Sequence, residues 1–539
     1  MNKLFLTALA LVASFQLSAE IKLHQLFSDG AVLQRGQAVP VWGWADAGST
    51  VDVSFAGQTK SAKADKNGKW MVKFDSLEAS AEGRNLEVKN GSENLSVKNI
   101  LVGEVWLCSG QSNMDFAIKQ LVKPTREKEY MPLAEYIKNE METAKDPLFR
   151  QIEVRKETTY GKELENINGD WAQVSPETNG GFTATGYFFG RELRKTLNVP
   201  VGLIKCAWGG TLVEPWVPMP KYQTTDELKA FYAEEKAKLE KGSSWWTPEK
   251  AKALHEKKLI EWEAKKVAAK AEKKKFNQRK PRMVSDPAKS NRLPSTLYNG
   301  MIAPLVPYAV KGAIWYQGES NSGYQNENYQ RHFTALIEGW RTAWGQDRLD
   351  FFWCQLAQFR DPAKSPVDND GWVNVCYQQF QTLAVPNTGM AVLNDIGEAK
   401  DIHPHNKIDA GKRLALSALH TSYGKTDHVY SGPLYKSHKI EASKVIVQFD
   451  QVGSGLMTGK KVLLDPVVET QDELKHFQIK GSDNVWKWAT AKIISKDSVE
   501  VSHPEISAPI EVRYAWASNA KGANLYNKEG LPASLFKTK

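Results

Sequence analysis

The chain is poor in cysteine and, beyond its first residues, has no apolar run of membrane length. Only Cys108, Cys206, Cys354 and Cys376 occur in 539 residues. None sits in a CxxC pair or at a ligand-like spacing from histidine, so a zinc site is not indicated. The first three lie in apolar, strand-like stretches where cysteine acts as a small hydrophobe. Free buried thiols are the expectation, with one disulfide left open for an exported chain. After residue 19 no segment is apolar enough to span a bilayer. There is no internal repeat and no low-complexity linker. No recognised nucleic-acid module accompanies the positive charge, so nucleic acid is not an expected partner.

Residues 1–19 read MNKLFLTALALVASFQLSA. A charged start at Lys3, an apolar stretch and the small pair Ser18-Ala19 predict a secretory signal cut after Ala19. The expected location is periplasmic or extracellular, with no membrane contact after signal removal. The formal net charge is +9. Much of it falls between Lys229 and Arg282, including Lys273-Lys274-Lys275, and reads as a solvated helix face. The 18 tryptophans are a high count; they supply buried bulk, and their flat faces also suit sugar rings.

A chain of this length exceeds one core, and roughly 150 residues per domain suggests about three units. Residues 20–99 show short alternating strands with turns at Asn67-Gly68 and Asn90-Gly91, the pattern of a small β-sandwich. The Asn67-Gly68 turn predicts a hairpin between 60–66 and 70–74. From 100 to 423 strands alternate with helices, which predicts a mostly parallel α/β sheet. Its strands are expected at 105–108, 201–207, 312–316, 351–356 and 390–394, and its helices at 185–197, 324–343, 372–383 and 407–420. The connection 116–176 gives no clear pattern. Residues 222–290 read as a helical insertion, with helices at 226–241 and 248–275 joined at Lys241-Gly242-Ser243-Ser244. Residues 424–539 return to β, with strands at 444–449, 462–464, 476–479, 499–502 and 510–516.

The chemistry-bearing residues stand after the predicted strands. The stretch GEVWLCSGQSNMD (103–115) runs from a buried strand into a tight polar turn, and in α/β sheets the ligand crevice lies at that edge. Ser112 is the candidate nucleophile. Met114 occupies the place of the second glycine of a nucleophile elbow, so this is not the GxSxG pattern. Acyl transfer also needs a base and oxyanion donors. Gly209 and Gly210 follow the second strand and let backbone N–H groups approach a ligand, although such a pair also serves as a plain turn. After the third strand come Gln317, Glu319 and Asn321. Gln317 or Asn321 is a candidate amide donor to an oxyanion; Glu319 is a candidate to bind a hydroxyl or hold the loop. After the fifth strand stand His403 and His405, and histidine is the usual base near neutral pH.

Four blocks in order, GEVWLCSGQSNM, AWGGT, AIWYQGESN and DIHPHNK, resemble the sialate O-acetylesterase family within the SGNH-hydrolase superfamily. The stretches LFSDGAVLQRGQAVPVWGWA and APIEVRYAWASNAKGANLYNKEGLPASLF extend the resemblance over nearly the whole mature chain. It implies an SGNH-hydrolase, flavodoxin-like three-layer α/β/α domain flanked by β-sandwich-like modules, and a serine esterase without metal or other cofactor that acts on O-acetylated carbohydrate. By motif, Ser112 matches the nucleophile, His403 the base, Gly209 or Gly210 the second-block glycine, and Gln317 the third-block position. The oxyanion donors implied are Ser112 N–H, Gly209 or Gly210 N–H and the Gln317 amide. Glu319 and Asn321 are candidate substrate contacts. The superfamily's last block is Asp-x-x-His, whereas Lys400 stands three residues before His403. The orienting acid is therefore open between Asp401, Asp395, Glu398 and a backbone carbonyl, with His405 a rival base.

Two other classes remain. A glycoside hydrolase would pair Glu319 with Asp395 and leave Ser112 and His403 idle. A non-catalytic carbohydrate-binding protein would work through its β modules. The resemblance points to sialic acid, while acetylated xylan or another polysaccharide is equally compatible with the residues. A sialate carboxylate would call for an arginine, and Arg292 and Arg360 are the candidates.

Overall fold

Runs that are apolar without alternation are those buried on both faces, and they form the centre of the molecule. The computed structural model describes residues 20–123, 127–366, 368 and 370–538; the leader segment 1–19 lies outside the described residues. The central sheet contains β1 (Glu93–Gly110), β2 (Asp146–Glu153), β3 (Trp171–Val174), β4 (Val201–Ala207), β5 (Gly312–Tyr316), β6 (Asp350–Cys354) and β7 (Thr388–Ala391), in the order β3-β2-β4-β1-β5-β6-β7. Only the β2–β3 pairing in this row is antiparallel. The five strands expected from the sequence run β4-β1-β5-β6-β7, which is the flavodoxin-like order. The unread connection 116–176 supplies β2 and β3 at the edge, together with the helix Met131–Thr143.

Helices cover both faces. Ala184–Leu197 and Lys407–Tyr423 pack together on one side, where Trp106 meets Phe189 edge-on with ring centroids 5.1 Å apart. Tyr329–Trp344 covers the other side, where Trp315 packs on Phe333 and Trp340. Trp42, Trp70, Trp106, Trp216, Trp315, Trp340 and Trp353 are all fully buried. Most of the tryptophan excess is thus core bulk rather than a sugar-binding surface. All four cysteines are free and buried.

β1 belongs to two units at once. Its first part pairs antiparallel with Ser80–Asn90 of the N-terminal module through the Asn90-Gly91 turn, and its last part pairs parallel with β4 and β5. A boundary at 99/100 therefore falls within one strand, next to Asn99, whose φ of +57° marks an irregularity in it. The turn at Asn67-Gly68 forms, with Gly68 at φ +80°, but the hairpin does not. Gln58–Lys63 pairs with Thr50–Phe55, while Lys69–Phe74 pairs with Val39–Trp44 in the other sheet. A tight turn fixes the direction of the chain, not the sheet in which the next strand finds its partner.

The insertion is two helices, Asp226–Trp245 and Pro248–Ala271. The first continues through Gly242-Ser243-Ser244, where a turn was expected. The chain reverses instead at Thr247, whose hydroxyl accepts the Lys250 N–H ahead of the second helix, with Pro248 at the first helical position. Phe231 and Tyr232 pack against Tyr222 on the body. In the C-terminal module the strand expected at 462–464 is absent: Leu456–Lys460 is the strand and 462–464 is the turn after it. Among the described residues no helix is long and apolar enough to cross a membrane.

The loop after β7 is anchored from below. Arg413, on the helix Lys407–Tyr423, donates from Nη1 to Asp395 Oδ1 at 2.6 Å and from Nη2 to Oδ2 at 2.8 Å, and from Nη1 to the Val392 carbonyl. Both side chains are buried. Arg413→Met would leave a buried carboxylate uncompensated and should lower stability by about 3–5 kcal/mol. Guanidinium unfolding followed by tryptophan fluorescence measures it; a midpoint unchanged from wild type would refute this role for the pair.

Candidate active site

The site forms where β4, β1 and β5 end side by side. Gly110, the last residue of β1, has φ +134°, and a Cβ there would lie 2.3 Å from the Tyr316 carbonyl oxygen. Only glycine lets β1 turn this close to β5. Gln111 then opens the one-turn helix Ser112–Asp115. Its side-chain oxygen accepts from Ser320 N–H at 3.1 Å and from Gln317 Nε2 at 3.3 Å, tying the serine turn to the loop after β5.

Ser112 Oγ lies 2.9 Å from His403 Nε2. With neutral histidine carrying its proton on Nδ1, the hydroxyl donates to the ring. Asp401 faces the other nitrogen, with Oδ1 3.5 Å from His403 Nδ1, and the same oxygen accepts the His403 backbone N–H at 2.9 Å. The hydrogen bond with His403 holds the Asp401 carboxyl below its ordinary range. Phe116 stacks on the imidazole with ring centroids 4.3 Å apart. Asp401 is thus the carboxylate beside His403. Asp395 is held by Arg413, and Glu398 accepts the N–H and Nδ1–H of His405 at 2.6 and 2.8 Å. His405 is buried on Glu398 and is not the histidine that meets the serine.

Gly209 stands against the nucleophile turn: a Cβ there would come 3.3 Å from Ser112 Cβ. The N–H groups of Ser112 and Gly209 have no acceptor among the described residues. Gly210 has φ +77° and open space on its α-carbon. The structure departs from expectation at the two amides. Gln317 is fully buried, and its Nε2 donates to the Thr211 carbonyl at 3.1 Å and to Asn321 Oδ1 at 2.7 Å. Asn321 is also fully buried and donates to both oxygens of Glu214 at 3.1 Å. Their protons are committed to one another's loops rather than offered to a ligand. Sequence pattern names an amide but not the partner that saturates it. Glu319 is buried too: Oε1 accepts from Asn113, Oε2 has no partner among the described residues, and burial raises its pKa.

Three contacts escaped the sequence reading. Asn113 Nδ2 donates to the Ile402 carbonyl at 3.0 Å; Lys407 Nζ donates to Asn113 Oδ1 at 2.7 Å; and Phe116 covers His403. Asn113 and Lys407 both lay inside recognised blocks, and that was their only signal. Of the two arginines, Arg360 lies beside the base loop, its N–H donating to the Ala399 carbonyl at 3.0 Å. Arg292 acts electrostatically on Glu214, in the turn after β4. Among the described residues no group of three or more His, Cys, Asp or Glu side chains is arranged to hold a metal.

A serine hydroxyl against an imidazole, at the carboxyl edge of a flavodoxin-like sheet, is the arrangement of an α/β serine hydrolase. The sequence profile of the family described as "carbohydrate esterase, sialic acid-specific acetylesterase" matches residues 102–245 and 287–420. The chain belongs to that family. It is similar to the sialate O-acetylesterase of Homo sapiens, 27% identical over 94% of this chain and 90% of the relative, and to that of Rattus norvegicus, 28% identical over 92% and 90%. Among solved structures it is similar to a carbohydrate acetylesterase from Xanthomonas citri, 33% identical with a TM-score of 0.75, over 96% of this chain and 99% of that one. The protein is a carboxylic ester hydrolase that removes acetyl groups from carbohydrate. The glycosidase and binding-only alternatives are not favoured; Asp395, the second carboxylate of the former, is consumed by Arg413. The profile passes over 246–286, the outer part of the helical arm.

Glu214 gives the region a pH signature. Burial raises its carboxyl to about 7, so it keeps its proton in the folded chain where the unfolded chain has lost it. Stability therefore falls as pH rises from the unfolded value near 4.5 to about 7, and the penalty is complete above that. Glu214→Gln mimics the protonated acid. The variant should gain on the order of 3 kcal/mol over wild type at pH 8 and almost nothing at pH 4.5. Denaturant unfolding at the two values tests this, and a gain independent of pH would contradict it.

Proposed function

We propose that the protein deacetylates O-acetylated sugars, sialic acid foremost, through an acetyl-serine at Ser112. The carrying observation is the 2.9 Å approach of Ser112 Oγ to His403 Nε2, with Asp401 behind the ring. His403 accepts the serine proton as Oγ attacks the acetyl carbonyl. The developing oxyanion is held by the unengaged N–H groups of Ser112 and Gly209, with Gly210 shaping the turn; Gln317 braces the loop instead of donating. His403 returns the proton to the departing sugar hydroxyl. Water, deprotonated by the same imidazole, then attacks the acetyl-serine carbonyl, releasing acetate and restoring Ser112. Asp401 keeps the imidazole proton on Nδ1 and stabilises the imidazolium.

For the sugar, Arg360 is the cation we assign to a sialate carboxylate: its backbone is bonded to the loop that leads to His403, and its half-exposed guanidinium, 3.5 Å from Asp370, would have to exchange that partner for the sugar. The family's description supports the sialate reading. The leader-like residues 1–19 support a periplasmic or extracellular reaction.

Acetate release measured side by side on 9-O-acetylated sialic acid and acetylated xylan tests the proposal. Ser112→Ala should lose about 10⁶-fold in kcat on the preferred substrate, and Asp401→Asn about 10²- to 10⁴-fold. Near-normal release by Ser112→Ala would sink the esterase mechanism. Release from xylan alone would sink the sialate assignment and leave the mechanism standing.

A further inference from the structure

Lys407 is fully buried and is the first residue of the helix Lys407–Tyr423. Both facts run against it. An ammonium loses hydration in the interior, and a cation at a helix N-terminus opposes the helix dipole. Its contacts show where that cost is spent. Nζ donates to Asn113 Oδ1 at 2.7 Å and to the Pro404 carbonyl at 2.6 Å. Asn113 follows Ser112, and its Nδ2 donates to the Ile402 carbonyl and to Glu319. Ile402 and Pro404 are the two neighbours of His403. The carbonyls on either side of the base are therefore held by one connected pair, Asn113 and Lys407, and Asn113 adjoins the serine.

We propose that Lys407 is a positioning residue for the esterase reaction: its ammonium ties the nucleophile turn to the loop carrying His403 and so holds Ser112 Oγ at bonding distance from the ring. This rests on the reading of Ser112 and His403 as nucleophile and base. The groups that face the ammonium are the carboxylates of Glu398, Glu319 and Asp401, the Cys354 thiol, and the Tyr316 ring, whose centroid is 5.5 Å from Nζ. The acidic groups favour the charge, but burial outweighs them and lowers the lysine to about 8. Above that pH the amine still reaches its acceptors, without the charge that roughly doubles the strength of such bonds.

The test is the pH profile of kcat in wild type, Lys407→Met, Lys407→Arg and Asn113→Ala, normalised to the sites labelled by a fluorophosphonate. Wild type should lose activity along an alkaline limb near pH 8. Lys407→Met should lose about 10- to 100-fold in kcat, as sub-ångström misplacement of reacting groups does, with KM within about twofold and the limb gone. Lys407→Arg should recover part of kcat and hold it past pH 9. Asn113→Ala carries the test if the lysine variants fail to fold, and should show a similar loss in kcat. Wild-type kcat per labelled site in Lys407→Met or Asn113→Ala, or an unchanged alkaline limb in Lys407→Met, overturns the proposal. Undiminished labelling of Ser112→Ala would instead overturn the underlying assignment of the nucleophile.

Discussion

Over residues 106–110, β1 is hydrogen-bonded on both sides, to β4 from Leu203 to Ala207 and to β5 from Gly312 to Tyr316. Two parallel neighbours in register bring three strand ends to the same level. The serine turn, the Gly209 turn and the Gln317–Asn321 loop meet for that reason and no other. Gly110 completes the arrangement, since a side chain there would push β1 away from the Tyr316 carbonyl. The base reaches the serine from farther off, beyond β7, by a loop that Arg413 anchors and Asn113 and Lys407 draw in.

The interior around the site holds many polar side chains, and its amides are committed to neighbouring loops. Gln111, Gln317, Asn321 and Glu214 form one connected series from the serine turn through the loop after β5 to the turn after β4. Buried amides linked in this way fix loops that have no regular structure of their own, because an unsatisfied partner costs more than a satisfied one contributes. The loops at the mouth are therefore tied to one another through buried side chains.

The legibility of this chain in its sequence followed burial. Strands covered on both faces, such as 201–207 and 312–316, are continuous apolar runs and were readable to within a residue or two. β2 carries the buried polar residues Arg150 and Gln151, so its stretch does not look like a strand. The first part of β1, with one face exposed, could not be recognised as the same strand as its buried end. At the site, a contact between Ser112 and His403 could be anticipated because few side chains pair as a nucleophile and base do. The choice of Asp401 over Asp395 and Glu398 could not, since it depends on which carboxylate already has a cation or an N–H. Asn113 and Lys407 meet across 294 positions, and no local spacing announces such a contact.

The strand that delivers Ser112 is also the last strand of the N-terminal module, so the two units share one strand rather than a linker. That strand is not evenly extended: Asn99 stands at φ +57°, where the pairing with Ser80–Asn90 shifts register. The N-terminal module is thus tied to Ser112 through this one strand, while His403 comes from the far end of the sheet, on a loop that Arg413, Asn113 and Lys407 hold.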